Sequence, residues 1–122
     1  MKTMTDARTF STGTYGVEGI PLVDHDGVEC LGYSLLEMAK VEEAIALAAL
    51  EDGCRDPEAL RFARKAMGYT IEALADDCMC YPSDVRAWES GTIAIHPQNA
   101  DDLIGLLTQR DRGGFVARRV TV

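Results

Sequence analysis

The side chains best suited to binding chemistry in this chain are hydrogen-bond donors between residues 70 and 86. Thr70, Tyr81 and Ser83 bring hydroxyl groups, and Arg86 brings a guanidinium group. Such groups donate to phosphate oxygens, and a guanidinium also pairs in bidentate fashion with guanine O6 and N7. The segment is therefore a candidate for nucleic-acid binding. The alternatives are a solvated Arg86, and simple capping or turn packing by Thr70 and Tyr81.

Catalytic chemistry finds little support in the sequence. His25 lies in a DHDG turn and His96 precedes a proline, and neither has the spacing of a Ser-His-Asp or Cys-His site. No glycine-rich phosphate loop is present in the sequence. Cys78 and Cys80 could sense redox state, but both stand at apolar positions of the surrounding pattern, which favours core packing. We expect neither enzymatic activity nor a cofactor.

Two short helices and a tight turn must position the donors. Thr70 is a suitable N-cap for a helix that carries Leu74 and Ala75. A turn follows at residues 79–82, and a second helix then runs to Gly91. Ala75 is small enough to let the helices cross closely. Apolar side chains should fill the space beneath them: Leu74, Cys78, Val85 and Trp88.

This segment, from Leu60 to Gly91, resembles the Cro/CI-type (Xre) helix-turn-helix regulators of bacteria and phages. The resemblance implies that the helix at 82–90 enters the major groove. It also implies that Arg64 pairs with Glu89 and fixes the angle between two helices. Ile71 stands where the family often has a polar phosphate contact. The residues that the resemblance places on DNA are Thr70, Tyr81, Pro82, Ser83, Arg86 and Ala87.

The order of pieces along the chain is similar to that of MqsA-type (YgiT-like) antitoxins, which hold an N-terminal piece together with zinc on paired CxxC motifs. Here Cys30 has Tyr33 where a second cysteine should stand. A structural zinc site needs about four sulfur or nitrogen ligands. Because His25, Cys30 and Cys54 do not form a recognisable set, we expect no metal site.

The N-terminal piece, residues 1–54, is predicted to hold a β-hairpin and a long helix. Strands are expected at 17–23 and 28–33, and Pro21 indicates that the first lies at a sheet edge. A capping box of Ser34 and Glu37 should open the helix, which Gly53 should end. Its wide apolar surface predicts either core packing or a dimer face.

The helix-turn-helix domain is expected at residues 55–112, followed by a β-like tail at 113–122 that could add a strand to its own or a partner chain. Asp56 should cap a helix that begins at Pro57. Asn99 should cap the last helix, and Gly113-Gly114 should break it. The predicted fold class is α+β, mainly α: a five-helix-type Cro/CI domain preceded by a small β-rich piece and a long connecting helix.

Charge argues against a simple nucleic-acid binder. The chain has 12 basic and 20 acidic side chains, a net charge of −8, and 10 of the acidic residues lie in the first 55. We expect a cytoplasmic, homodimeric repressor that reads a palindromic operator in double-stranded DNA with the helix at 82–90, autoregulates its operon and has no membrane association. The alternative is an antitoxin or other protein-binding module, in which the acidic N-terminal half binds a toxin or another basic protein and the helix-turn-helix is degenerate.

Overall fold

A small antiparallel sheet and five helices make up the fold in the computed structural model, which describes residues 2–32 and 35–121. The α+β prediction is confirmed. The strands are β1 (Thr3–Phe10), β2 (Gly13–His25), β3 (Val28–Leu31) and β4 (Arg118–Arg119). The helices are α1 (Leu35–Glu51), α2 (Pro57–Ala66), α3 (Ile71–Asp77), α4 (Pro82–Ser90) and α5 (Pro97–Gln109).

Strand β2 lies in the middle of the sheet, so its predicted edge position is wrong. It pairs with β1 from Gly13 to Pro21 and with β3 from Leu22 to His25. Pro21 is accommodated because pairing changes from one neighbour to the other at this residue. The carbonyl of Pro21 still accepts a hydrogen bond from the Gly32 amide at 2.8 Å. The predicted β2–β3 hairpin is confirmed, whereas β1 was not anticipated.

Helix α1 packs against both halves of the protein. One hydrophobic cluster joins its residues Val41 and Ile45 to Tyr15 and Ile20 of β2. The other cluster joins its opposite face, including Leu47, to the C-terminal helices. The structure thus shows core packing, the first of the two predicted roles for the helix. The helix extends as far as predicted, but Ser34 of the proposed capping box lies outside the described residues.

Two predicted helix caps differ in the structure. Asp56 occupies the N-cap position of α2, but its carboxylate accepts from the Ser11 amide at 2.7 Å rather than from helix amides. Hydrogen bonds from Ser11 lower the pKa of Asp56, so this tie favours the ionised carboxylate. Helix α5 begins at Pro97 rather than after Asn99, because His96 Nδ1 accepts from the Gln98 amide at 3.1 Å. Proline also suits the first helical position.

The tail forms a strand, as predicted, and adds to the sheet of its own chain. Arg118 and Arg119 of β4 pair with Gly16 and Tyr15 of β2. The next amide, that of Val120, donates to the Thr14 carbonyl at 2.8 Å. Helix α5 has already ended at Gln109, before the glycine pair that was expected to break it.

Ile45→Ala should lower the free energy of unfolding by about 2–5 kcal/mol, because Ile45 is fully buried where α1 meets the sheet. Leu36→Ala is the control, since Leu36 of the same helix is 69% exposed and such a change should stay within about 0.5 kcal/mol. Urea denaturation followed by circular dichroism measures both. Equal losses of unfolding free energy in the two variants would contradict the packing of this face of α1 against the sheet.

Candidate nucleic-acid interface

Helices α3 and α4, with a short turn between them, occupy the segment that was predicted to be a helix-turn-helix. Thr70 caps α3, since its Oγ1 accepts from the Ala73 amide at 3.1 Å. Met79 in the turn has a left-handed φ of 55°, which is costly for a residue with a side chain, and Gly91 ends α4 with a φ of 77°. The residues expected between the helices are buried as predicted: Leu74, Ala75, Cys78, Val85 and Trp88.

An ion pair between Arg64 and Glu89 connects α2 to the end of α4. Arg64 Nε and Nη2 donate to the two carboxylate oxygens of Glu89 at 2.7 and 2.9 Å, and the side chains are 11% and 9% exposed. Arg64 Nη1 also donates to the Tyr69 carbonyl at 3.0 Å, just before α3. Hydrogen bonds to Glu89 raise the pKa of Arg64 despite opposing desolvation. The predicted pairing is thus observed, and it ties three segments together.

The N-terminal half of α4 presents its predicted binding residues at the surface. Ser83 and Arg86 are exposed, Pro82 and Ala87 are half-buried, and Tyr81 is 76% exposed. The first turn of this helix is fixed by Asp84, which accepts from the Tyr81 amide at 2.9 Å.

Thr70 lies near the start of α4 in the folded chain. It lines a shallow groove between α3 and α4 together with Pro82, and Cys80 is part of the same lining. The structure therefore brings Thr70 close to the predicted binding residues at the start of α4, although its hydroxyl is already used as a cap acceptor. A hydroxyl that accepts from an amide still has its own proton to donate to a phosphate oxygen.

Arg86 forms an ion pair with a carboxylate that was not predicted from the sequence. Its Nη2 donates to Oε1 of Glu72 on α3 at 2.9 Å, and the two side chains are 57% and 64% exposed. Exposed pairs of this kind contribute about 0–1 kcal/mol to stability. Arg86 can therefore leave Glu72 at little cost. Recognising this pair from sequence would have required the crossing angle of the helices.

The helix-turn-helix carries a pronounced negative charge. Residues 70–91 contain five acidic side chains and one basic one. Glu89 and Glu72 are paired with arginines, and Asp77 accepts from the Tyr69 hydroxyl. Asp76 is exposed beside them. Since phosphate neutralisation dominates affinity for DNA, this surface opposes a duplex more strongly than net charge alone indicated.

The cysteine pair of the turn is poorly placed for redox chemistry. Cys78 is buried, and desolvation raises the pKa of its thiol to about 12. Burial also raises the pKa of the half-buried Cys80. Thiolates are the reactive species, so both groups are expected to be slow nucleophiles. Among side chains that the structure describes, no group of three or more His, Cys, Asp or Glu residues is arranged to hold a metal ion.

Comparison with known proteins gave no relative. No protein-family model matches the chain, and neither a curated protein nor a solved structure does. Within the described residues, no helix combines the length and the hydropathy needed to cross a membrane.

Arg64→Ala should lower the free energy of unfolding by about 3–5 kcal/mol, because it leaves the buried Glu89 carboxylate without its partner. Arg86→Ala, which breaks the exposed pair with Glu72, is the matched control and should cost about 0–1 kcal/mol. Thermal and urea unfolding would measure both losses. Similar values for the two variants would show that Arg64–Glu89 does not hold the helices together.

Cys78 should resist alkylation in the native protein at pH 8, because a pKa of about 12 leaves almost no thiolate and the side chain is buried. Iodoacetamide labelling with peptide mass mapping tests this, and Cys80 should react first. The same chain in urea is the control in which both should be modified. Rapid labelling of Cys78 in the native protein would show that its thiol is reactive, and redox sensing would again be a candidate role for it.

Proposed function

We propose that the protein is a DNA-binding transcriptional regulator that presents α4 to the major groove. The observation that carries the proposal is the exposed N-terminal half of α4, held at a fixed angle to α2 and α3 by the Arg64–Glu89 pair. A reading helix needs a rigid base and solvent-accessible donors at its start. Arg64 and Glu89 supply the first requirement, and Ser83 and Arg86 the second. Repression would follow from occupation of an operator, with the protein's own operon as the expected target.

Arg86 is the proposed base-reading residue. To reach guanine it must exchange the Glu72 carboxylate for O6 and N7 of the base, an exchange of one charge-assisted partner for another. Glu72 would then face the duplex with an uncompensated charge. Repulsion between this charge and the phosphates predicts weak binding to non-specific DNA. Ser83, Tyr81 and Thr70 would hold the phosphate backbone through their hydroxyl groups.

A second candidate is binding to a basic protein, as in an antitoxin, and the chemistry of the turn favours it. Met79 is 94% exposed and Tyr81 is 76% exposed at the same turn. Acidic side chains flank them at Asp76 and Asp84. An exposed apolar tip with acidic neighbours suits a protein partner that carries lysines and arginines around an apolar pocket.

Selection from a random duplex pool, followed by fluorescence anisotropy at low and near-physiological salt, separates the two candidates. A regulator should select a palindromic motif and bind it at least ~1000-fold above non-specific DNA. Binding that selects no motif and disappears with salt would overturn the DNA proposal. The turn at Met79 and Tyr81 would then be the surface to test against basic proteins.

Glu72→Gln should raise affinity for the selected duplex several-fold, because it releases Arg86 and removes a charge that repels phosphate. Arg86→Ala should cost about 1–3 kcal/mol of specific binding and relax one base position. Glu58→Gln, an equal change of charge at an exposed residue of α2, is the control. An equal gain from Glu58→Gln would assign the effect to net charge rather than to Arg86.

A further inference from the structure

Strand β1 has one edge that no other strand pairs with in the described part of the chain. It pairs with β2 alone, on one side, over its eight residues, Thr3 to Phe10. Proteins usually protect such edges with proline, lysine, bulges or shortness. Strand β1, whose sequence is TMTDARTF, has no proline, no lysine and no bulged residue of its own. Its two charged side chains, Asp6 and Arg8, are of opposite sign, so they would attract rather than repel an antiparallel copy. The irregularity in the β1–β2 ladder does not protect it either, since the extra residue lies in β2, between Val17 and Ile20.

The register shows which backbone groups of β1 face away from β2. The Leu22 amide donates to the Lys2 carbonyl at 3.0 Å, so even-numbered residues at this end direct their peptide groups towards β2. Because the extra residue belongs to β2, alternation along β1 is unbroken. The outward-facing amides and carbonyls are therefore those of the odd-numbered residues, Thr5, Ala7 and Thr9 among them. In the single chain the Ala7 carbonyl accepts from Arg8 Nη1 at 3.1 Å, an exposed contact that the amide of a pairing strand would replace.

The sequence of this edge is self-complementary around Ala7. Counting outwards from Ala7, Asp6 corresponds to Arg8, and Thr5 corresponds to Thr9. One step further, Met4 corresponds to Phe10. An antiparallel copy would thus place an acid opposite a base, threonine opposite threonine, and an apolar residue opposite an aromatic one. These are the cross-strand combinations that stabilise antiparallel sheets.

We propose that β1 is a homodimer interface, in which it pairs antiparallel with β1 of a second copy about a two-fold axis at Ala7. Ala7 would exchange both hydrogen bonds with Ala7 of the second copy, and Thr5 would do so with Thr9 of the second copy. Asp6 then faces Arg8 of the second copy in a non-hydrogen-bonded pair, where side chains approach most closely. The outward-facing backbone groups and the side-chain charges thus both favour the same register between the two strands.

The local electrostatics favour this partner. Arg8 Nη1 contacts Asp6 Oδ1 at 2.8 Å in the single chain, while its guanidinium lies 5.7 Å from the Phe62 ring centre. Glu42 of α1 lies near both: burial raises its pKa, Arg8 opposes that rise and Asp6 adds to it. One arginine therefore serves two carboxylates. A second copy brings another arginine to Asp6, and it also covers Met4, which is 36% exposed.

Charge reversal with mixing tests the interface on the 122-residue chain by sedimentation velocity. Asp6→Arg places arginine opposite arginine, and Arg8→Asp places aspartate opposite aspartate, so each variant alone should dimerise at least ~10-fold more weakly than the natural sequence. An equimolar mixture of the two should dimerise again, since every facing pair is then attractive. Arg118→Asp, which makes the same charge change on β4, is the control and should leave dimerisation unchanged.

A monomeric natural chain at tens of micromolar, or a mixture that associates no better than its components, would overturn the proposal. Ala7→Pro provides a second test that does not depend on charge. It removes an outward-facing amide and no β1–β2 hydrogen bond, so a folded monomer is expected and a dimer of unchanged affinity would contradict the interface. Circular dichroism checks folding of every variant. The outcome is independent of DNA binding, because neither test contains a duplex.

Discussion

The burial of α1 is the constraint on which the remaining structure depends. A helix that is apolar around most of its circumference must be covered on more than one side. Here the sheet covers one face through Tyr15 and Ile20, and the C-terminal helices cover the other. Glu43, the acidic residue buried in this helix, is paired with Arg110 beyond α5 at 2.7 Å. Helices α2 and α5 pack on this central helix, and α3 and α4 belong to the same hydrophobic cluster, so the helix-turn-helix segment is part of one packed core with α1.

The helices of the C-terminal half could be predicted because their signals are local. Caps, a terminal glycine and apolar spacing fix α3 and α4, and Thr70 and Gly91 perform the expected roles. Strand β1 could not be predicted in this way. Its even-numbered positions run apolar, charged, charged, apolar, with Asp6 and Arg8 where apolar side chains are typical. Those charges are accommodated at a sheet edge, which only the tertiary structure reveals.

The candidate site shows the same division between local and long-range information. The position of Arg64 opposite Glu89 followed from spacing within a resemblance, and the structure has the pair. The pairing of Glu72 with Arg86 depends on how two helices cross. The Asp56 carboxylate accepts from Ser11, a residue 45 positions away, rather than from the helix that it precedes. Which partner a polar side chain binds depends on which groups lie near it in the folded chain. Sequence spacing therefore identifies candidate residues but not their hydrogen-bond partners.

The pairing of β4 with β2 has a consequence for the order in which the chain acquires structure. Residues 15 and 119, roughly a hundred positions apart, lie side by side in the sheet. On a ribosome, the first strands emerge long before the segment that completes their sheet. The helix-turn-helix, built from contacts between near neighbours, can form during that interval. The N-terminal sheet is thus expected to be the last part of the protein to complete its folding, although its first strands are synthesised first.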